Sequence, residues 1–198
     1  MGQRLLVTVR QNNEDVCKIY FHWSAYTYSA LLETKKVIDC IYNNEDETIK
    51  EMQLRLIKFL EDNGGGIRGD QYEFDYIQAM YPNETFKTDG YSRNNGLIAL
   101  SEKGMKELQD WSEGDVTIDL DNDAVANTVY GWYEDIEEYN EERKEWDDEF
   151  EGYGLEDIED IQCDIGSFNV EDIDYILYKL ENVEGVCRCG SQIFEMIE

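Results

Sequence analysis

Between Trp132 and Phe150 the chain reads WYEDIEEYNEERKEWDDEF. Trp132, Ile136, Tyr139, Arg143, Trp146 and Phe150 recur alternately four and three positions apart. On an α-helix that spacing places them on one face, a short heptad-like seam that is aromatic instead of leucine-rich. A seam of that kind has to dock on something. The rest of the turn surface is carboxylate: Glu134, Asp135, Glu137, Glu138, Glu141, Glu142, Glu145, Asp147, Asp148 and Glu149, opposed only by Arg143 and Lys144. Carboxylates four positions apart on a helix lie roughly 6 Å from one another and cost a few tenths of a kcal/mol per pair. That separation is close to the spacing of successive phosphates along a nucleic-acid strand. The sequence therefore predicts a helix that accepts a stability cost to hold a row of negative charge.

The same bias runs through the whole chain of 198 residues, whose formal net charge is −29 and whose pI is near 4.1. Such a surface repels nucleic acid and anionic membranes and attracts basic proteins, of which nucleic-acid-handling proteins are the largest class. Aromatics make up 13% of the residues, enough apolar surface to argue against wholesale disorder. Lysine and isoleucine are not scarce, which argues against an acidic coat evolved only for high salt. No apolar run is long enough to cross a bilayer, and MGQRLLVTVR reads as a strand and not as a signal peptide. The expected compartment is the cytoplasm. Five scattered cysteines suit reduced thiols.

The predicted elements give an α+β fold: an antiparallel sheet with helices packed on one face and an acidic helical C-terminal third. Leu5, Val7 and Val9 alternate with polar residues, as do Cys17, Ile19, Phe21 and Trp23. The polar Gln11–Asp15 between these runs reads as a hairpin loop. A helix through Asn43 should turn Ala30, Val37, Ile38 and Ile41 inward, and a second, about Asp46 to Asp62, should stop at the glycines after Asn63. A short helix around Tyr72 to Met80 follows. Ser101 is placed to cap a helix ending at Trp111, and Val116–Leu120 and Ala124–Trp132 read as two strands joined through Asp121-Asn122-Asp123. Asn169 is placed to cap a final helix carrying Val170, Ile173, Ile176, Leu177 and Leu180. Residues 1–132 form a scaffold, and residues 133–198 an acidic helical region that completes it or is appended to it.

Catalytic parts are few. The single histidine, His22, stands at a strand end where such a residue is commonly structural; with Trp23, Tyr26 and Thr27 it could instead line a small pocket. No activating partner is evident, so no enzyme is expected. Asp119, Asp121 and Asp123 imitate the start of a calcium loop, but Ala124 and Tyr130 occupy the positions that require Gly and Glu, which favours a hairpin turn. Cys187-x-Cys189 lacks zinc-ligand spacing, and Gly64–Gly69 lacks the Lys-Ser/Thr ending of a phosphate loop. Neither a metal nor a cofactor is predicted. Arg68-Gly69-Asp70 and Asn83-Glu84-Thr85 match adhesion and glycosylation patterns by chance.

The block Ile19-Tyr20-Phe21-His22-Trp23-Ser24-Ala25-Tyr26-Thr27 resembles the N-terminal segment of uncharacterised phage and mobile-element proteins. In its charge the chain is similar to phage anti-defence proteins, particularly acidic anti-CRISPR proteins that imitate DNA. That resemblance implies a phage-type inhibitor acting in the host cytoplasm on a defence nuclease, with a CRISPR effector as the leading candidate. The ten carboxylates from Glu134 to Glu149 would meet the Lys and Arg that otherwise bind phosphate, without contact to nucleic acid itself. Two other classes compete. One is a protein that binds or degrades a nucleotide signal at His22, Trp23 and Tyr26, served by Arg4, Arg10, Lys18, Lys35 and Lys36 if these converge. The other is a plain acidic adaptor or chaperone-like protein.

Overall fold

The computed structural model describes residues 4–25, 27–42, 47–131 and 161–181. Its first two strands, β1 (Leu5–Gln11) and β2 (Glu14–Phe21), pair antiparallel. The turn is tighter than the polar run suggested: only Asn12 and Asn13 lie outside the strands, at φ 53° and 62°. Two successive left-handed residues match the twist of a hairpin, and asparagine tolerates that region. Val9 faces Cys17 and Arg10 faces Asp15, so Val16 is the extra residue of a bulge.

Every residue from Leu5 to Val9 is buried, because β1 lies in the middle of the sheet with both faces covered. The strand order is β3-β4-β2-β1-β5-β6-β7, with β3 at Gly66–Ile67, β4 at Leu97–Ala99, β5 at Gly114–Asp119, β6 at Ala124–Gly131 and β7 at Ile161–Asn169. The sheet is mixed where a purely antiparallel one was expected. β5 runs parallel to β1 with Val7 opposite Val116, and β3 runs parallel to β4. Both parallel pairs join strands separated by long crossovers, as that geometry requires.

Leu5, Val7, Val9, Cys17, Ile19 and Phe21 face the large core, where they meet α1 (Thr27–Ile41), α2 (Ile49–Asp62) and α3 (Gln71–Met80). The inward residues foreseen on α1 are all buried. Thr48 and Glu51 form a reciprocal capping box at the start of α2, and the Thr48 hydroxyl and amide, both donating to the Glu51 carboxyl, hold it below its usual range. The helix stops at Asn63, followed by Gly64 at φ +83°.

Helices on one face only was also an incomplete expectation. α4 (Glu102–Gln109) covers the other face, where Leu108 packs with Leu6, Tyr20, Leu97 and Ala99. Ser101 caps it by accepting from the Gly104 amide. The fully buried Glu73 of α3 reaches under α4 and accepts from the amides of Leu100 and Ser101 and from the Ser101 hydroxyl. One carboxylate thus ties the two helices together.

The expected helical character of residues 133–198 is corrected for 161–169, which form β7. Ile161, Cys163 and Ile165 alternate at strand spacing, and pairing with β6 satisfies their backbone. A 3-10 turn at Val170–Asp172 leads into α5 (Ile173–Glu181), and Asn169 makes no side-chain capping bond. Phe168, Ile173, Ile176 and Leu177 join the large core, and Lys35 of α1 pairs with Asp174 at 3.1 Å.

Candidate functional site

The ten carboxylates singled out from Glu134 to Glu149, and the aromatic seam beside them, lie outside the described residues. Their anchorage does not. β6 and β7 are neighbours, paired antiparallel from Ala124 opposite Asn169 to Gly131 opposite Ile161. Residues 132–160 therefore join two adjacent strand ends, whose paired Cα atoms stand about 5 Å apart. Those residues carry fifteen Asp and Glu against Arg143 and Lys144.

The described part of the chain has few cations left to answer that charge. Arg4 is paired with Glu113, Arg10 and Lys18 with Asp15, Lys36 with Glu33, and Arg55 with Glu47. Lys35 bridges Asp39 and Asp174, while Arg68 bridges Asp70 and Glu107. Burial alone would raise Asp15, but its bonds to Arg10 and Lys18 outweigh that and hold its carboxyl below the usual range. Glu113 is lowered in the same way, with the Arg4 bonds overcoming burial. Arg4, Arg10, Lys18, Lys35 and Lys36 thus do not converge on one anion site. Arg4 and Arg10 flank opposite ends of β1, and each of the five is paired with a carboxylate, Arg10 and Lys18 sharing Asp15.

His22 and Trp23 come together just past β2; Tyr26 and the side chain of Thr27 lie outside the described residues. Tyr20 Oη and His22 Nδ1 are 2.8 Å apart, and the His22 amide donates to the Arg93 carbonyl at 3.1 Å. Burial raises the Tyr20 phenol, which therefore remains protonated at neutral pH. The rings of Trp23 and His22 are near-perpendicular at 4.9 Å between centroids, as are those of Tyr20 and Trp111 at 5.8 Å. Arg68 lies over the Trp111 ring at 5.2 Å. The result is a line of rings, Trp23–His22–Tyr20–Trp111, at the end of the sheet where β6 stops and β7 starts. Trp23 has φ +66°, a region that bulky side chains rarely enter, and is 53% exposed.

Two cavities lie elsewhere. One of about 170 Å³ is lined by Arg68, Asp70, Phe74, Lys87 and Tyr91 among others, and one of about 130 Å³ by Phe21, Lys36, Phe59 and Asn95 among others; His22 and Trp23 line neither. No family model, no curated protein and no solved structure matches this chain. Function has to be argued from the site alone.

The remaining candidates fall into structural roles. Asp119 ends β5 and accepts from the amides of Asp121 and Asn122 and from the Asn122 side chain, so the predicted hairpin turn is what forms. Arg68 of the adhesion-like tripeptide is nearly fully buried. Among the described residues no three His, Cys, Asp or Glu are grouped to hold a metal ion, and no helix is long and apolar enough to cross a membrane. Cys17 and Cys40 are free and buried. The sequence reading missed Arg93, Trp111 and Arg68 as neighbours of the His22 turn. They lie far along the chain, and no local pattern links them to it.

Proposed function

We propose that the protein is a non-enzymatic inhibitor that occupies the basic nucleic-acid-binding groove of a defence nuclease, with a CRISPR effector as the leading target. Its carboxylates stand where phosphates would otherwise lie, so nucleic acid is excluded by competition. The observation that carries this reading is the grip of β6 and β7 on the acidic stretch. Fifteen acids are delivered from two hydrogen-bonded strand ends of a packed sheet, not from a free tail. The prior commitment of the body's own cations supports it, because the charge is left for a partner to neutralise. A field of this sign raises association rates with a basic groove by roughly 10- to 1000-fold and weakens steeply with salt.

The test is DNA binding by a panel of purified CRISPR effector complexes, with and without the protein, over a range of ionic strength. Replacing Glu137, Glu138, Glu141, Glu142 and Glu145 together by Gln should abolish competition while circular dichroism and melting temperature hold. If the five-fold variant competes as well as the parent, the mimicry reading fails. The nucleotide-signal reading gains no specific support, because the cations it needs are dispersed.

A further inference from the structure

Among the described residues, three exposed aromatics have a face or hydroxyl occupied by a neighbour. Lys103 lies over Tyr72 at 4.7 Å, Arg68 over Trp111 at 5.2 Å, and Tyr42 donates to Asp123 at 2.9 Å. Trp23 differs from Trp111: among the described residues its one ring contact is the perpendicular His22, and no cation lies over it. Trp23 is also the residue held at φ +66°, a conformation that glycine would adopt without strain. Keeping tryptophan there costs stability, and the side chain returns little of it to the core because it is half exposed. Strain at an exposed aromatic is an observation that calls for a partner.

We propose that Trp23 is a docking point for an arginine side chain of a basic protein partner, seated on the open indole face. The reading rests on the acidic-inhibitor function above and adds a second contact to it. Tryptophan is the strongest of the three aromatic cation acceptors, and a planar, weakly hydrated guanidinium stacks on it better than an ammonium does. Tyr20 holds His22 through the 2.8 Å bond, and the His22 ring meets the indole at 81°, a contact that covers at most one of its two faces and leaves the other for a partner. Its position suits a shared interface. The His22 turn follows the end of β2, and by strand register that is the end of the sheet where Gly131 and Ile161 bracket the acidic residues. Arg93, whose carbonyl anchors the His22 amide, adds one positive charge nearby, small beside the −29 of the chain. Carboxylates would then govern encounter, and Trp23 would slow release.

The experiment uses the full chain with a poly-arginine and a poly-lysine peptide of equal length, in physiological salt, read by calorimetry and by the indole N–H resonances in NMR. The arginine peptide should bind more tightly and shift the Trp23 indole signal. Trp23→Gly should weaken arginine-peptide binding by about threefold to fivefold, the size of an exposed cation–π contact, and lysine-peptide binding by less than about twofold. Because glycine suits the local φ, that variant should melt no lower than the parent, which removes misfolding as an explanation. Trp23→Phe should fall between the two. Equal arginine-peptide affinity in parent and Trp23→Gly, or an equal loss for both peptides, overturns the Trp23 assignment while leaving the acidic reading intact. No salt-dependent binding of either peptide overturns both.

Discussion

Replacing Glu73 by Ala removes the acceptor of three hydrogen bonds at a site that solvent does not reach. The Leu100 and Ser101 amides both point at Glu73 Oε1, and both become buried donors without a partner. Each such donor costs about 1–3 kcal/mol, so the pair costs about 2–6 kcal/mol. The Ser101 hydroxyl can turn and recover part of its bond. An expected loss near 4 kcal/mol is a large share of the roughly 5–15 kcal/mol that holds a domain folded. Glu73→Gln behaves differently, because its amide oxygen can still accept from both backbone groups and its volume is kept. Its cost should stay near 1 kcal/mol. Urea denaturation followed by tryptophan fluorescence measures both, with Trp111 close to α4 as a local probe. If Glu73→Ala loses less than about 1 kcal/mol, or if Ala and Gln cost the same, then the carboxylate does not join α3 to α4 as described.

Two further outcomes follow from the hairpin. Asn13→Val forces a β-branched residue to hold φ 62° and should destabilise by about 1–2 kcal/mol, whereas Asn13→Gly should be neutral or slightly stabilising in thermal melts. Asp15→Asn tests the lowered carboxyl beside Arg10 and Lys18. A group whose pKa is depressed by folding stabilises above its unfolded value, about 3.9 for aspartate, and loses that stabilisation as pH falls through its folded value. Parent and variant should therefore differ in melting temperature at pH 7 and converge below about pH 4. A gap that persists undiminished at pH 2 contradicts the ion pairing.

Alternation at Leu5–Val9 and Cys17–Phe21, the hydroxyl of Ser101 before an amphipathic run, and the glycines after Asn63 all act within a few residues, and each produced the element it foretold. Pairing partners are a different matter. Nothing near Val7 specifies Val116, which lies more than a hundred positions further along the chain. The consecutive apolar Leu5, Leu6 and Val7 do hint that β1 is covered on both sides, which places it inside the sheet. β7 was obscured by its charged setting, with Asp160 and Asp164 drowning the strand spacing of Ile161, Cys163 and Ile165. Glu73 looked like any solvated helix acid. The rings beside His22 share no local signal, since Tyr20, Arg68, Arg93 and Trp111 meet only after the chain has folded back on itself.

The position of β1 has a cost in time. Its partner β5 is more than a hundred positions further along the chain, so the centre of the sheet cannot close while the protein is being synthesised until β5 has emerged from the ribosome. Until then the first hairpin offers an unfilled edge with apolar side chains on both surfaces, the kind of template on which neighbouring chains aggregate. Contacts so distant in sequence also favour slow closure. During that wait the acidic stretch at 132–160 has not yet emerged, so the anions that later hold whole copies apart give the half-made chain little protection.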